Sequence, residues 1–449
     1  MPSEPVSGEE QPHATAYLDG LRGIASLVVF SFHTLWAYFA FVEYGYGDGP
    51  TNRHFLQLPV VRLVHAGHAM VPVFFVVGGY VMALKPFRKI RARDCEDLPV
   101  SLAGSMVRKA IRLHLPAVIV TFVSMLTLHF GLWEYPRHFL ASKRFFNYPD
   151  KHPLPEKTIF AEASRWVRAT VGLTNIFSYV NHGFVLPYYN PYDPHLWYLP
   201  FELRASLVTA FVLLALSRFR QPSIRTTLTL AAAILATSLD RWECALFLSG
   251  ALLADLDTQF PPSTASPRLL LIFSLPSLTA SLYLLSTPNL RILHTPGYAL
   301  LRANFVPPAI SDPKRFLHGA GAVLLLAALR RCPPLQRPLG SRPARAAGRR
   351  SYALYVVHGP VLHVVGYGVA AGVWRAVGCR GEEKEEEEAW RWAVGAAAGS
   401  VGAWGVGWWV AGWFERVVER RCRGVAGWVE GWLFGEGEGE REAEGMLPR

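Results

Sequence analysis

The sequence predicts an all-α polytopic membrane protein, a bundle of about ten transmembrane helices. Three observations carry this. Of 449 residues, 51% are hydrophobic and only 18% are charged. The apolar residues gather in blocks close to the length that crosses a bilayer. Lys and Arg fall in alternate connections between those blocks. Windows of about 20 residues place spans at 18–41, 68–84, 114–132, 200–217, 224–239, 242–257, 269–286, 316–330, 351–371 and 391–412.

The polar lead, residues 1–16, has no cationic n-region and no small-residue cleavage site, so the first span is expected to be a retained signal anchor. That span carries Asp19, Arg22 and His33 within YLDGLRGIASLVVFSFH. Charged groups at membrane depth are costly and usually functional. Arg22 and His33 are eleven residues apart, about three turns, so they share a face while lying roughly 16 Å apart along the axis. Asp19 and Arg22, three residues apart, are able to pair.

Lys85, Arg88, Lys89, Arg91 and Arg93 follow the second span, and Arg108, Lys109 and Arg112 precede the third. By the positive-inside rule this side is expected to be cytoplasmic. The same side then receives Arg218, Arg220 and Arg225, the dense run from Arg330 to Arg350, and Arg416 to Arg423. Both termini would be cytoplasmic, and the long loop 133–199 would lie opposite. Lys109 and Arg112 share a helix face at the cytoplasmic mouth of the third span. Glu202 begins the fourth span behind Trp197 and Pro200, on the opposite side. Residues 17–415 form the transmembrane domain, and 416–449 a basic, then acidic and Gly/Glu-rich, cytoplasmic tail. The run EEKEEEE at 382–388 and the tail from Gly435 are acidic low-complexity segments, expected to be solvated.

The net charge of +11 reflects this topology. The basic residues sit between spans and not on an aromatic-interleaved surface, so a nucleic-acid partner is excluded. Five scattered cysteines without paired spacing indicate neither a disulfide framework nor a zinc site. His65 and His68 have helical spacing but no acidic or cysteine partner, so they read as a solvated loop, and no metal is expected. No nucleophile elbow or phosphate-binding loop occurs, which argues against a soluble hydrolase or an ATP-driven pump.

Five stretches in order carry a resemblance: LDGLRGIASLVVFSFH at 18–33, VPVFFVVGGY at 71–80, RKAIR at 108–112, PHLWYLPFELRAS at 194–206 and SYALYVVHGPVL at 351–362. Together they resemble the acyltransferase 3 family of integral membrane O-acyltransferases, over about residues 16–415. Gly78 stands where a Ser is commoner, and Lys109 replaces the first Arg of a paired-basic motif. The resemblance implies transfer of an acyl group, often acetyl, from acyl-CoA to a hydroxyl of a small molecule, lipid or carbohydrate.

That chemistry needs a base at the acceptor hydroxyl and cations for the donor's phosphates. His33 is the expected general base, since imidazole titrates near neutrality, with Arg22 and Glu202 beside it in catalysis. Arg22, Lys109 and Arg112 suit the phosphates of the donor, which is expected as a co-substrate and not as a resident cofactor. Trp197, Glu202, His358 and Tyr80 are expected to contact the acceptor. A proton-coupled secondary transporter is the alternative, because buried Arg, His and Glu would also suit a carrier, although no inverted halves are visible. A catalytically dead sensor of the same fold is a third reading, opposed by Arg22 and His33.

Overall fold

In lipid each backbone N–H and C=O must be satisfied within its own segment. The computed structural model, which describes residues 15–177, 190–260, 266–380 and 386–435, is accordingly helical, with no strand among those residues. The lead before residue 15, most of the acidic run at 382–388 and the tail beyond 435 lie outside the described residues.

The helices are α1 (Ala16–Tyr38), α2 (Gly67–Ala92), α3 (Leu98–His129), the short α4 (Arg137–Leu140), α5 (Ile159–Thr174), α6 (Tyr198–Leu216), α7 (Pro222–Ser238) and α8 (Trp242–Gln259). They continue with α9 (Pro267–Leu285), α10 (Tyr298–Phe305), α11 (Pro313–Leu329), α12 (Pro333–Leu339), α13 (Arg342–Val361), α14 (Tyr367–Ala376), α15 (Glu386–Phe414) and α16 (Arg420–Phe434). Among the described residues six segments are long and apolar enough to cross a membrane: Ala16–Tyr38, Gly67–Ala92, Leu98–His129, Pro194–Leu216, Pro267–Leu285 and Arg342–Ala376. The other four expected spans also coincide with helices, α7, α8, α11 and α15. Start signals agree with the sequence: Pro222, Pro267 and Pro313 open their helices, where a missing N–H costs nothing, and Ser266 and Asp312 cap the backbone behind them.

Boundaries differ in one systematic way. The basic segments expected as connections are largely helical extensions: Lys85 to Arg91 continue α2, Arg108 to Arg112 lie inside α3, and Arg342 to Arg350 open α13. A helix does not end where the bilayer does.

α1 lies between α2 and α13, α2 packs along α8, and α3 contacts α6 and α16. Among lipid tails there is little hydrophobic drive between helices, so small residues that admit close backbone approach take over. Gly23 of α1 leaves no room for a Cβ against Gly348 of α13, nor does Gly79 of α2 against the Phe247 backbone of α8. These contacts set α1 and α13 face to face, and that pairing builds the site.

Candidate active site

His33 stands near the end of α1, half-buried. His195 lies in the single 3-10 turn Pro194–Trp197 ahead of α6, and His358 lies on α13; both are buried. The turn is held firmly. Asp193 caps it by accepting from the His195 backbone N–H at 3.0 Å, and the Tyr355 hydroxyl of α13 donates to the His195 carbonyl at 2.6 Å. Segment 190–197 thus dips into the bundle with Asn190, Tyr192, Asp193 and His195 buried, irregular backbone that membrane depth tolerates only where protein surrounds it.

The three imidazoles converge. His195 Nε2 lies 3.2 Å from His33 Nδ1, and ring centroids separate His33 from His358 by 5.3 Å and His195 from His358 by 4.3 Å. On its far side His195 Nδ1–H donates to Asp193 Oδ1 at 2.8 Å, and Asp150 Oδ1 lies 3.5 Å from His195 Nε2. When His195 is neutral, with Nδ1–H on the Asp193 carboxylate, its Nε2 accepts from His33 Nδ1–H and His33 Nε2 keeps a lone pair; when it is charged, beside Asp150, its Nε2–H donates to His33 Nδ1 instead. His358 Nδ1–H donates to the Tyr355 carbonyl at 2.6 Å, which leaves its buried Nε2 without a partner. Gly359 permits this assembly, since a Cβ there would sit 2.6 Å from Asp193 Oδ1 and 2.8 Å from His195 Nδ1.

The two carboxylates, both outside the spans, differ. Burial opposes ionisation of Asp150, but the charge and hydrogen bond of His195 outweigh it and hold the group well below its ordinary range. Burial pushes Asp193 up despite the same imidazole. The pair therefore has a firmly ionised member and one that retains a proton more readily. The three histidines also offer nitrogen atoms all within 4.8 Å of one another, a set able to fill three places around a metal ion.

Other expected site residues are placed as follows. Glu202 of α6 pairs with Lys109 of α3 at 3.0 Å, and the Lys109 ammonium lies 4.9 Å from the Phe247 ring centroid. Lys109 and Glu202 were expected on opposite sides of the membrane, and a 3.0 Å pair rules that out. The dipping 190–197 segment starts α6 inside the bundle, and the long α3 carries Lys109 toward it. Lys109 therefore turns inward, away from the exposed Arg112. Arg22 is also exposed, and no ion pair joins it to Asp19 among the described residues. Arg204 pairs with Glu243 at 2.7 Å instead of with Glu202.

Trp197 follows the His195 turn and, with His68, Lys314, Arg315 and His318, lines a small cleft. Tyr80 is not brought to the histidines: its hydroxyl donates to Asp257 at 3.0 Å, a carboxylate also held by Arg330 and Arg331. His65 and His68 are not solvated either. His65 is fully buried and hydrogen-bonds the Leu56 carbonyl at 2.9 Å, and the edge of His68 meets Phe32 at 4.8 Å. Compact 3-10 turns after Phe55 fold that loop back on itself.

Sequence reasoning missed His195, Asp193, Asp150 and Tyr355. His195 and Asp193 adjoin the Leu-Trp segment, and an Asp-Pro-His run ahead of a helix is a capping signal that could have drawn notice. Asp150, alone in a long loop, offers no such signal.

The matching family model, described as an acyltransferase domain of the acyltransferase 3 family, covers residues 15–412. An O-acetyltransferase of Phomopsis amygdali, PaAT-1, is 29% identical over 393 residues, 83% of this chain and 77% of that protein. Acyltransferase R4 of a Phoma species is 26% identical over 82% of this chain and 86% of its own length. Acyltransferase clz18 of Cochliobolus lunatus is 26% identical over 81% and 86%. No solved structure matches the chain. A helical membrane bundle closed around a buried imidazole–carboxylate cluster, with these likenesses, is that of a membrane-embedded O-acyltransferase. The chain belongs to the acyltransferase 3 family.

Proposed function

We propose that the protein moves an acyl group, acetyl in the first instance, from acyl-CoA to a hydroxyl of a small molecule, lipid or carbohydrate, with His33 as general base. The observation that carries this reading is the hydrogen-bonded chain Asp193–His195–His33. Acetyl is favoured by the printed name of one relative, an O-acetyltransferase.

In this reading, with His195 neutral and accepting from His33 Nδ1–H, the acceptor oxygen attacks the thioester carbonyl as its proton passes to His33 Nε2. The C–S bond breaks, and the leaving thiolate takes that proton from His33. The positive charge that develops on the imidazoles is offset by Asp150 and Asp193, which are already in place and need no reorganisation. His358 Nε2, an orphaned acceptor beside His33, orients a donor group of the acceptor molecule. Trp197 and Glu202 flank the route to it. Arg22 and Arg112 hold the donor's phosphates at the side where the basic residues collect, and that side faces the cytoplasm, with both termini. Residues 17–415 form the catalytic domain, the long 133–199 segment faces away from the cytoplasm, and the donor is a co-substrate.

The test is release of free coenzyme A from radiolabelled acetyl-CoA by purified, detergent-solubilised protein, compared with His33→Ala. Release that depends on His33 is expected. Equal release by a folded His33→Ala protein would sink the assignment of the base, and an absence of both release and donor binding would sink the acyl-CoA reading itself.

A further inference from the structure

The family match ends at residue 412, but the helix does not. α15 runs through a π-turn at Glu415–Glu419 into α16, and such turns within helices concentrate at functional positions. α16 packs along α3, the helix that carries Arg108 and Arg112. Cys422 and Ala426 form its buried seam, and Glu430 pairs with Arg108 where Gly104 leaves space for the carboxylate.

At the upper end of α16 the Arg423 guanidinium lies 3.5 Å from Glu415 Oε1 and 3.7 Å from Glu419 Oε1. Glu419 is 9% exposed, and its Oε2 is buried without a hydrogen-bond partner. The charges of Arg112 on α3 and Arg22 on α1 also bear on Glu419, and Arg112 feels Arg108 and Arg423 in turn. Among the described residues neither Arg22 nor Arg112 has an ion pair. Three helices thus bring four guanidinium groups, Arg22, Arg108, Arg112 and Arg423, into one region with three carboxylates, Glu415, Glu419 and Glu430. Like charges gathered this way repel, and an arrangement with more cations than anions is suited to a polyanion. Guanidinium forks match phosphate oxygens in pairs. Positive-inside topology accounts for basic residues on this side, but not for their convergence from separate helices.

We propose that α16 is a clasp that completes the donor's nucleotide site, with Arg423 a phosphate ligand beside Arg22 and Arg112. Glu419 holds the arginines in position until phosphate oxygens take its place. The clasp rests on the acyl-CoA reading above. The axial distance from Arg22 to His33, roughly 16 Å, leaves the pantetheine arm to bridge phosphates and reacting thioester.

The test measures equilibrium binding of coenzyme A and of 3′-dephospho-coenzyme A to the full-length protein in detergent. Arg423→Gln is expected to weaken coenzyme A binding about tenfold, a typical loss for one charge-assisted phosphate contact. Arg421→Gln, exposed on the same helix, should leave affinity unchanged. If Arg423 reads the 3′-phosphate, its substitution leaves dephospho-coenzyme A binding unaltered; if it reads the diphosphate, both ligands weaken alike. Unchanged coenzyme A affinity in Arg423→Gln, or an equal loss in Arg421→Gln, would overturn the clasp. Should Arg423→Gln fail to fold, Arg423→Lys, which keeps charge but not the fork, is expected to bind coenzyme A several-fold more weakly, and full affinity would overturn the proposal. Lack of binding by the unaltered protein would refute the acyl-CoA reading instead.

Discussion

Lys109 on α3 and Glu202 on α6 meet across the bundle with Nζ and Oε1 3.0 Å apart. Side-chain exposures of 23% and 17% keep the pair partly wet. Removing one partner leaves the other charge uncompensated in a poor solvent, whereas removing both removes the problem. Lys109→Met and Glu202→Gln are each expected to lower stability by about 2 kcal/mol, less than a fully buried pair would lose, and the double variant by clearly less than the sum. Thermal unfolding of the three variants in one detergent checks this, and strictly additive losses would deny the coupling.

Asp193 reaches His33 only through His195. Asp193→Asn keeps an Oδ1 able to accept from both the His195 backbone N–H and its Nδ1–H, but removes the negative charge that offsets a protonated imidazole. A fall in kcat of about a hundredfold, with donor affinity unchanged, is expected. A comparable loss of donor binding would place Asp193 in a binding role.

Gly359→Ala puts a methyl carbon 2.6 Å from Asp193 Oδ1 and 2.8 Å from His195 Nδ1. Something must move, and displacements well under 1 Å at a reacting centre are expensive. The variant should insert and bind donor normally yet turn over at least tenfold more slowly; wild-type turnover would show that the Asp193–His195 contact does not matter.

The relay requires a proton between His195 Nε2 and His33 Nδ1, the place a metal ion would take. Added Zn²⁺ is therefore expected to inhibit transfer and a chelator to restore it. Activity lost on chelation and recovered with zinc would replace the proton relay with a metal centre.

His152, in the loop beside Asp150, has its pKa lowered from 6.5 to about 4, chiefly by burial and then by the Arg137 charge. A histidine held neutral in the fold contributes its stability fully above pH 6.5, and loses it as pH falls toward 4, because the unfolded chain binds the proton first. The loss amounts to at most about 3 kcal/mol. Unfolding midpoints at pH 7, 5.5 and 4.5 should fall, and His152→Gln should flatten the trend; an unchanged slope would acquit His152.

The helices at the ten expected spans were readable because each rests on local properties, namely the length of an apolar block, a Pro or Ser at its start, or basic residues at one end. The shared face of Arg22 and His33 was readable for the same reason, since helical periodicity ties residues eleven apart within one element. The family motifs likewise drew attention to His33, Glu202 and His358, though not to what surrounds them.

What lay beyond the sequence were the meetings between elements. His195 joins His33 because 190–197 folds into the bundle and Tyr355 pins its carbonyl. Lys109 faces Glu202 because that dip starts α6 at depth, and α16 closes on α3 through Glu430 and Arg108. Tyr80, by contrast, sits at the correct position in its motif yet turns to Asp257. The linear chain by itself determined the elements, their membrane setting and the candidate base. Only the tertiary structure decided the partners of that base, because a contact between residues 162 positions apart depends on how whole helices pack, which no local pattern encodes.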